Sequence, residues 1–223
     1  MARAALPGRL TWQLGRVVEV NPETSRTSNI ALELPDWPGH LAGQYVDVRL
    51  TAVDGYQAER SYSIASGPED PELVLTVERL DEGEVSPYLV DELRSGDELE
   101  LRGPIGGYFV WEEALGGPLL MVAGGSGVVP FRAMLRHHRA TESTVPVRVL
   151  YSSRSLQDVI YREELLARDD VRVALTRAWP DDWSGHRGRV DAELLREVAW
   201  PPAHRPQIDP SRIRTERFGP TGA

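Results

Sequence analysis

The pattern of apolar and polar positions changes character halfway along the chain. In the first half, short segments alternate with period two and are separated by turn residues. Residues 9–20, 28–34, 44–50, 60–66, 73–80 and 98–102 follow this pattern. Asn21-Pro22-Glu23-Thr24, Pro35 to Gly39, Asp54-Gly55, Gly67-Pro68 and Gly103-Pro104 stand between or after them. Period-two alternation bounded by such residues predicts β-strands. Six short, evenly spaced strands predict a small antiparallel barrel, with one short helix over 86–90.

From about Trp111 the apolar residues run together. Residues 118–123 and 145–152 are near-continuous apolar stretches, and 171–176 is a third strand. Segments 131–139, 156–167 and 191–198 carry helical spacing. Strands buried on both faces, alternating with helices, predict parallel βαβ units. The change of pattern puts a boundary within 109–113, giving a β-barrel domain over 1–112 and an α/β domain over 113–223.

Composition narrows the chemistry. The 223 residues contain no cysteine, so thiolate-held clusters and zinc–thiolate sites are excluded within them. All 25 basic residues are arginine, so no lysine can act as a base or phosphate clamp. A net charge of −9 without a compact basic run argues against a nucleic-acid partner. No apolar run reaches the ~18 residues of a membrane helix, and Met1 to Pro7 lacks the apolar core of a signal peptide. No membrane partner, a cytoplasmic location and a monomer are the expectations.

Two stretches carry chemistry. Arg60-Ser61-Tyr62-Ser63-Ile64-Ala65-Ser66 alternates Arg60, Tyr62 and Ile64 on one face with Ser61, Ser63 and Ala65 on the other. A cation, an aromatic ring and several hydroxyls suit a strand holding a flat, anionic ligand. An exposed edge strand fits the seven residues equally well. Gly124-Gly125-Ser126-Gly127 sits between a predicted strand and a predicted helix, with Pro130 in the first helical turn. Such a loop lets backbone N–H groups and a helix N-terminus approach a pyrophosphate, although it is not the G-x-G-x-x-G fingerprint and alone names no dinucleotide.

Together with Gly103-Pro104-Ile105-Gly106-Gly107-Tyr108-Phe109, these motifs stand in the order and spacing of the ferredoxin–NADP reductase superfamily. The chain resembles its stand-alone FAD-dependent members without an iron–sulfur domain. The resemblance implies a six-stranded Greek-key FAD-binding barrel followed by a Rossmann-like nicotinamide-dinucleotide domain. It also implies electron flow from NADH or NADPH through FAD to ferredoxin or another separate one-electron acceptor. A free-flavin reductase is an alternative, and so is an FAD-binding protein with impaired hydride transfer. By the same resemblance Arg60 pairs with the FAD pyrophosphate, Ser61 and Tyr62 line the flavin, and Ser63 lies near its reactive nitrogen. Gly83, Val85 and Ser86 form a second phosphate clamp, and Val77 and Arg79 stand where flavin contacts fall. Gly124, Gly125, Ser126, Gly127, Pro130, Thr176 and Arg177 belong to the dinucleotide side. Ser153 and Arg154 lean toward the 2′-phosphate of NADP, and Asp158 nearby would reverse that preference. Glu216 and Phe218 match a carboxy-terminal acidic–aromatic pair beside the flavin, Glu216 as a catalytic residue with Ser63. No metal ligand is expected. The basic segment Arg132, Arg136, His137, His138 and Arg139 reads as a solvated helix face or a docking patch for an acidic carrier.

One departure stands out. The family continues after the 191–198 helix with a strand ending in Cys-Gly-Pro and a helix. Here Gln207-Ile208 runs straight into Asp209-Pro210-Ser211. A unit of roughly 20 residues is expected to be absent at the Ile208–Asp209 junction.

Overall fold

The computed structural model describes residues 10–200 and 210–216. The Ile208–Asp209 junction and Phe218 lie outside the described residues. In the first half, β1 (Gln13–Thr24), β2 (Thr27–Glu33), β3 (Tyr45–Thr51), β4 (Gln57–Ser63), β5 (Leu73–Glu78) and β6 (Glu98–Ile105) form one antiparallel sheet in the order β4-β3-β6-β1-β2-β5. A bridge between Ile64 and Leu75 joins the two ends of that order, so the sheet curls into a barrel. Alternation along each strand turns Val17, Ile30, Val46, Val48, Leu75 and Leu101 inward to fill it.

The six predicted strands are present, with two changes. Strand β1 continues through the predicted Asn21–Thr24 turn and the chain reverses at Ser25-Arg26 instead. A register shift between Pro22 and Thr24 absorbs the proline, which cannot donate a ladder hydrogen bond. The short helix starts at Ser86 as expected, but it widens into a π turn over Tyr88–Glu92.

The second half is a parallel sheet in the order β10-β9-β8-β7, built from β7 (Leu119–Gly124), β8 (Val147–Ser153), β9 (Val171–Leu175) and β10 (His186–Arg187). Helix α1 (Val129–Ala140) packs on one face through Phe131, Met134 and Leu135, and α3 (Ala192–Val198) packs on the other through Leu194 and Val198. Asp191 caps α3 by accepting hydrogen bonds from the amides of Glu193 and Leu194 at 3.0 and 2.8 Å. Strand β10 was not anticipated, being only two residues long.

The predicted helix over 156–167 shrinks to α2 (Arg162–Leu166), because Tyr161 before it is held in the left-handed region at φ 57°. The barrel takes that residue. The Tyr161 amide donates to Glu23 Oε1 at 2.7 Å, and its buried hydroxyl donates to Thr76 Oγ1. Thr76 donates to Asn29 Oδ1 at 2.6 Å, and Asn29 Nδ2 to Glu23 Oε2 at 2.7 Å. These four residues close a ring of hydrogen bonds across the two halves. The interface is apolar as well, since Ala42 and Ala65 of the barrel belong to the core beneath α1.

The basic segment of α1 also acts within this interface. Arg136 makes a two-pronged ion pair with Asp70 at 2.6 and 2.7 Å, and His137 meets Glu69 at 2.7 Å. Arg132 pairs with Glu164 at 3.0 Å, and His138 bonds the Val145 carbonyl at 2.7 Å. Four of the five residues are thus engaged inside the molecule, which corrects the solvated-face reading.

Candidate active site

Strand β4 is the first strand in the hydrogen-bond order, and its side chains do two jobs. Ala58 and Tyr62, with Ile64 just past the strand's end, turn into the barrel core, while Arg60 on the same face stays exposed. The two readings of this stretch therefore coexist: it is an edge strand, and it lines a cleft. That cleft has a volume of about 540 Å³. Arg60, Ser61, Tyr62 and Ser63 form one wall, with Tyr45 and Asp47 of the neighbouring β3. Gly83, Val85 and Ser86 form a second wall, Ser126 and Val129 a third, and Glu216 reaches the mouth.

Local chemistry explains the second wall. The Ser86 hydroxyl accepts the Leu80 amide at 3.0 Å and folds the loop back on itself. A side chain on Gly83 would start 2.9 Å from that hydroxyl and 3.1 Å from the Leu80 carbonyl, so any larger residue would push the turn apart. Arg60 Nη2 donates to Glu84 Oε2 at 2.9 Å across this loop, and Tyr56 donates to the other oxygen of Glu84 at 2.7 Å. The guanidinium is thus already aimed at an oxyanion between β4 and the glycine turn. Ser61 Oγ instead donates to Asp47 at 2.7 Å. Burial pushes the Tyr62 phenol well above its ordinary range, so it stays neutral. Desolvation raises the Glu216 carboxyl.

A second cavity of about 360 Å³ opens at the carboxyl ends of β7, β8 and β9. Gly124 and Gly125, Ser152 to Arg154, Asp158 and Thr176 line it from the sheet, and Thr24, Arg26 and Thr27 from the β1–β2 turn. Gly125 sits at φ 54°, where a β-carbon would be strained. This is the ligand edge of an open parallel sheet. The glycine loop parts the two cavities, with Ser126 facing the first and Gly124 and Gly125 the second. Glu78, at the end of β5, lines both.

Several predicted residues lie elsewhere. Val77 is fully buried in the barrel, and Arg79 is tied to Asp91 at 2.7 Å and to Asp81. Gly127 and Pro130 are buried where the loop enters α1, and Arg177 serves through its amide, donating to the Arg154 carbonyl at 2.9 Å. None of these five lines either cavity. Conversely, Tyr45, Thr76 and Glu78, and the Thr24–Thr27 turn, were not foreseen. Glu78 stands between two residues that were singled out, and the alternation that turned Val77 inward also turned Glu78 outward. The hairpin residues carry no such signal, because only tertiary packing brings them to the sheet.

The residues present suit a flavin dinucleotide in the first cavity: a cation at a glycine-lined loop, an aromatic side wall and hydroxyls beyond it. The second, with its glycine turn at a strand end, suits a nicotinamide dinucleotide. The fold and site define a two-domain flavin- and nicotinamide-dependent oxidoreductase. Residues 14–110 match the family model of the oxidoreductase FAD-binding domain, and residues 121–208 that of the oxidoreductase NAD-binding domain. The chain is 38% identical over 196 residues to ferredoxin–NADP reductase B of Sorangium cellulosum, covering 82% of this chain and 79% of that protein. It is 33% identical to the glycine betaine monooxygenase reductase subunit of Chromohalobacter salexigens, covering 83% of this chain and 54% of that one. In fold it is similar to a ferredoxin–NADP⁺ reductase from Neisseria gonorrhoeae solved with FAD and NADP, with a TM-score of 0.72 at 22% identity over 83% of this chain and 76% of that one. The chain belongs to the ferredoxin–NADP reductase family and is an NAD(P)H-dependent flavoprotein reductase by class. Among the described residues, no helix is long and apolar enough to cross a membrane.

Proposed function

We propose that this protein draws electrons from NADH or NADPH through FAD and delivers them singly to a separate acceptor protein, a ferredoxin or an oxygenase component. The observation that carries this reading is the meeting of the two cavities at Glu78. Ligands held in the two clefts would lie next to each other, with Glu78 between them. Bound FAD would supply the chemistry, the acceptance of a hydride and release of electrons one at a time. The protein's own residues bind and orient. Arg60 would hold the pyrophosphate against the Gly83–Ser86 turn, where a guanidinium fork suits phosphate oxygens. Tyr62 would supply ring area. Ser63 would offer a hydroxyl that both donates and accepts. Glu216 would carry a proton at the cleft mouth. Gly124, Gly125 and Thr176 would seat the nicotinamide dinucleotide, with Ser153 and Arg154 on its ribose side. The division into domains of 1–112 and 113–223 follows the same reading.

The relatives' names favour a protein acceptor, since they include a ferredoxin–NADP reductase and a monooxygenase reductase subunit. FAD-reconstituted protein, supplied with NADPH or NADH, should reduce an added ferredoxin faster than free flavin. Reduction of free flavin alone would assign it instead to the small-molecule reductases.

A second reading, slowed hydride transfer, draws on strand β7. Among the described residues β7 pairs with β8 only, and Val122 on it is 45% exposed. An apolar, one-sided strand is what a sheet would present without the strand–helix unit expected after Ile208. On this reading FAD binds normally, while the nicotinamide ring is held loosely and saturation needs more NAD(P)H.

A further inference from the structure

We infer that Glu78 is a specificity residue of the dinucleotide pocket, whose carboxylate competes with a ribose 2′-phosphate for Arg154 and so narrows any preference for NADPH over NADH. The inference rests on the dinucleotide reading proposed above. Glu78 comes from the barrel, at the end of β5, yet projects over the glycine loop of the other domain. Its Oε1 lies 3.4 Å from Arg154 Nη2, and its Oε2 lies 3.8 Å from where a side chain on Gly125 would begin. The carboxylate is only 24% exposed, whereas Arg154 is 46% exposed.

Several other polar groups of the pocket have partners of their own. Ser153 is buried and spends its hydroxyl on the Ser155 carbonyl at 3.3 Å. Asp158 accepts the Ser155 hydroxyl at 2.7 Å. Arg26 donates through Nη2 to the Arg79 carbonyl at 2.9 Å and to Asp81 at 3.1 Å, while its buried Nε has no partner among the described residues. Arg154 is the cation at the end of β8, and Glu78 is its ion-pair partner there. A 2′-phosphate that engages Arg154 must displace Glu78 or lie against it, and like charges at that range repel. The 2′-hydroxyl of NADH carries no such charge and can donate a hydrogen bond to the carboxylate instead.

The test compares 2′,5′-ADP with 5′-AMP, which differ by the one phosphate. Their binding is measured by calorimetry on FAD-loaded wild type, Glu78→Gln, Arg154→Ala and the double variant. Glu78→Gln keeps the side chain's size and removes its charge. It should tighten 2′,5′-ADP about tenfold and leave 5′-AMP within about twofold, and the double variant should lose that gain. Equal changes for both nucleotides, no change in their ratio, or a gain that persists without Arg154 would each overturn the inference. Failure of every protein to bind either nucleotide would instead remove the dinucleotide reading, and the inference with it.

Discussion

Replacing Arg60 by alanine probes how the barrel cleft holds an anion. Its Nη1 donates to the Glu59 carbonyl at 2.7 Å and its Nη2 to Glu84 at 2.9 Å. The two side chains of that ion pair are 45% and 49% exposed. A pair so open to water contributes at most about 1 kcal/mol, so a phosphate can displace Glu84 at small cost. A charge-assisted hydrogen bond to the phosphate contributes about 1.5–3 kcal/mol. The difference is about 0.5–2 kcal/mol, or roughly 2–30-fold in Kd. Arg60→Ala should therefore weaken FAD binding about 2–30-fold while leaving thermal stability nearly unchanged. Glu84→Gln should move the other way and tighten FAD about two- to fivefold. Quenching of flavin fluorescence on titration gives both numbers. An Arg60→Ala protein that binds FAD as tightly as wild type refutes the pyrophosphate assignment.

Three further outcomes follow from the same geometry. Gly83→Ala should loosen FAD in the same titration without unfolding the barrel, because the new methyl meets the Ser86 hydroxyl and the Leu80 carbonyl at 2.9 and 3.1 Å. Tyr161→Phe removes a buried hydroxyl bond to Thr76 and should cost about 1 kcal/mol, read as a fall in Tm of about 2–4 °C. An unchanged Tm would mean that the hydrogen-bond ring does not hold the domains. For Asp70, desolvation pushes its carboxyl up, but the Arg136 guanidinium and the Gly67 amide outweigh it and hold the group below its ordinary 3.8. A carboxyl lowered by folding stabilises the protein above that ordinary value, and the contribution is lost as pH falls through the lowered one. Asp70→Asn should thus be less stable than wild type at neutral pH by about 1 kcal/mol, discounted for exposure. Urea denaturation should show the two converging in acid below pH 3.8, and a constant difference would contradict this.

The strands were legible because alternation reports burial directly: Val17, Ile30, Val48 and Leu75 fall on the inward phase of their segments and are fully buried. The glycine loop was legible because its residue type answers to a backbone constraint, seen in the φ of 54° at Gly125. The limits were tertiary. Tyr161 looked like helix until the barrel's Glu23 and Thr76 claimed it. Arg136 and His137 looked like a basic surface, although their partners Asp70 and Glu69 lie some 66–68 residues away in sequence. Arg79 carried the expected charge in the expected strand, but Asp91 and Asp81 hold it outside the cleft.

The central claim is that two clefts meeting at Glu78 form one redox site, and anaerobic spectroscopy tests it most directly. Protein reconstituted with FAD is mixed with NADH or NADPH in the absence of any acceptor, and the flavin absorbance is followed. The account predicts that at least one of the two nucleotides bleaches the bound flavin to completion. Flavin that stays bound and oxidised in excess of both would contradict it.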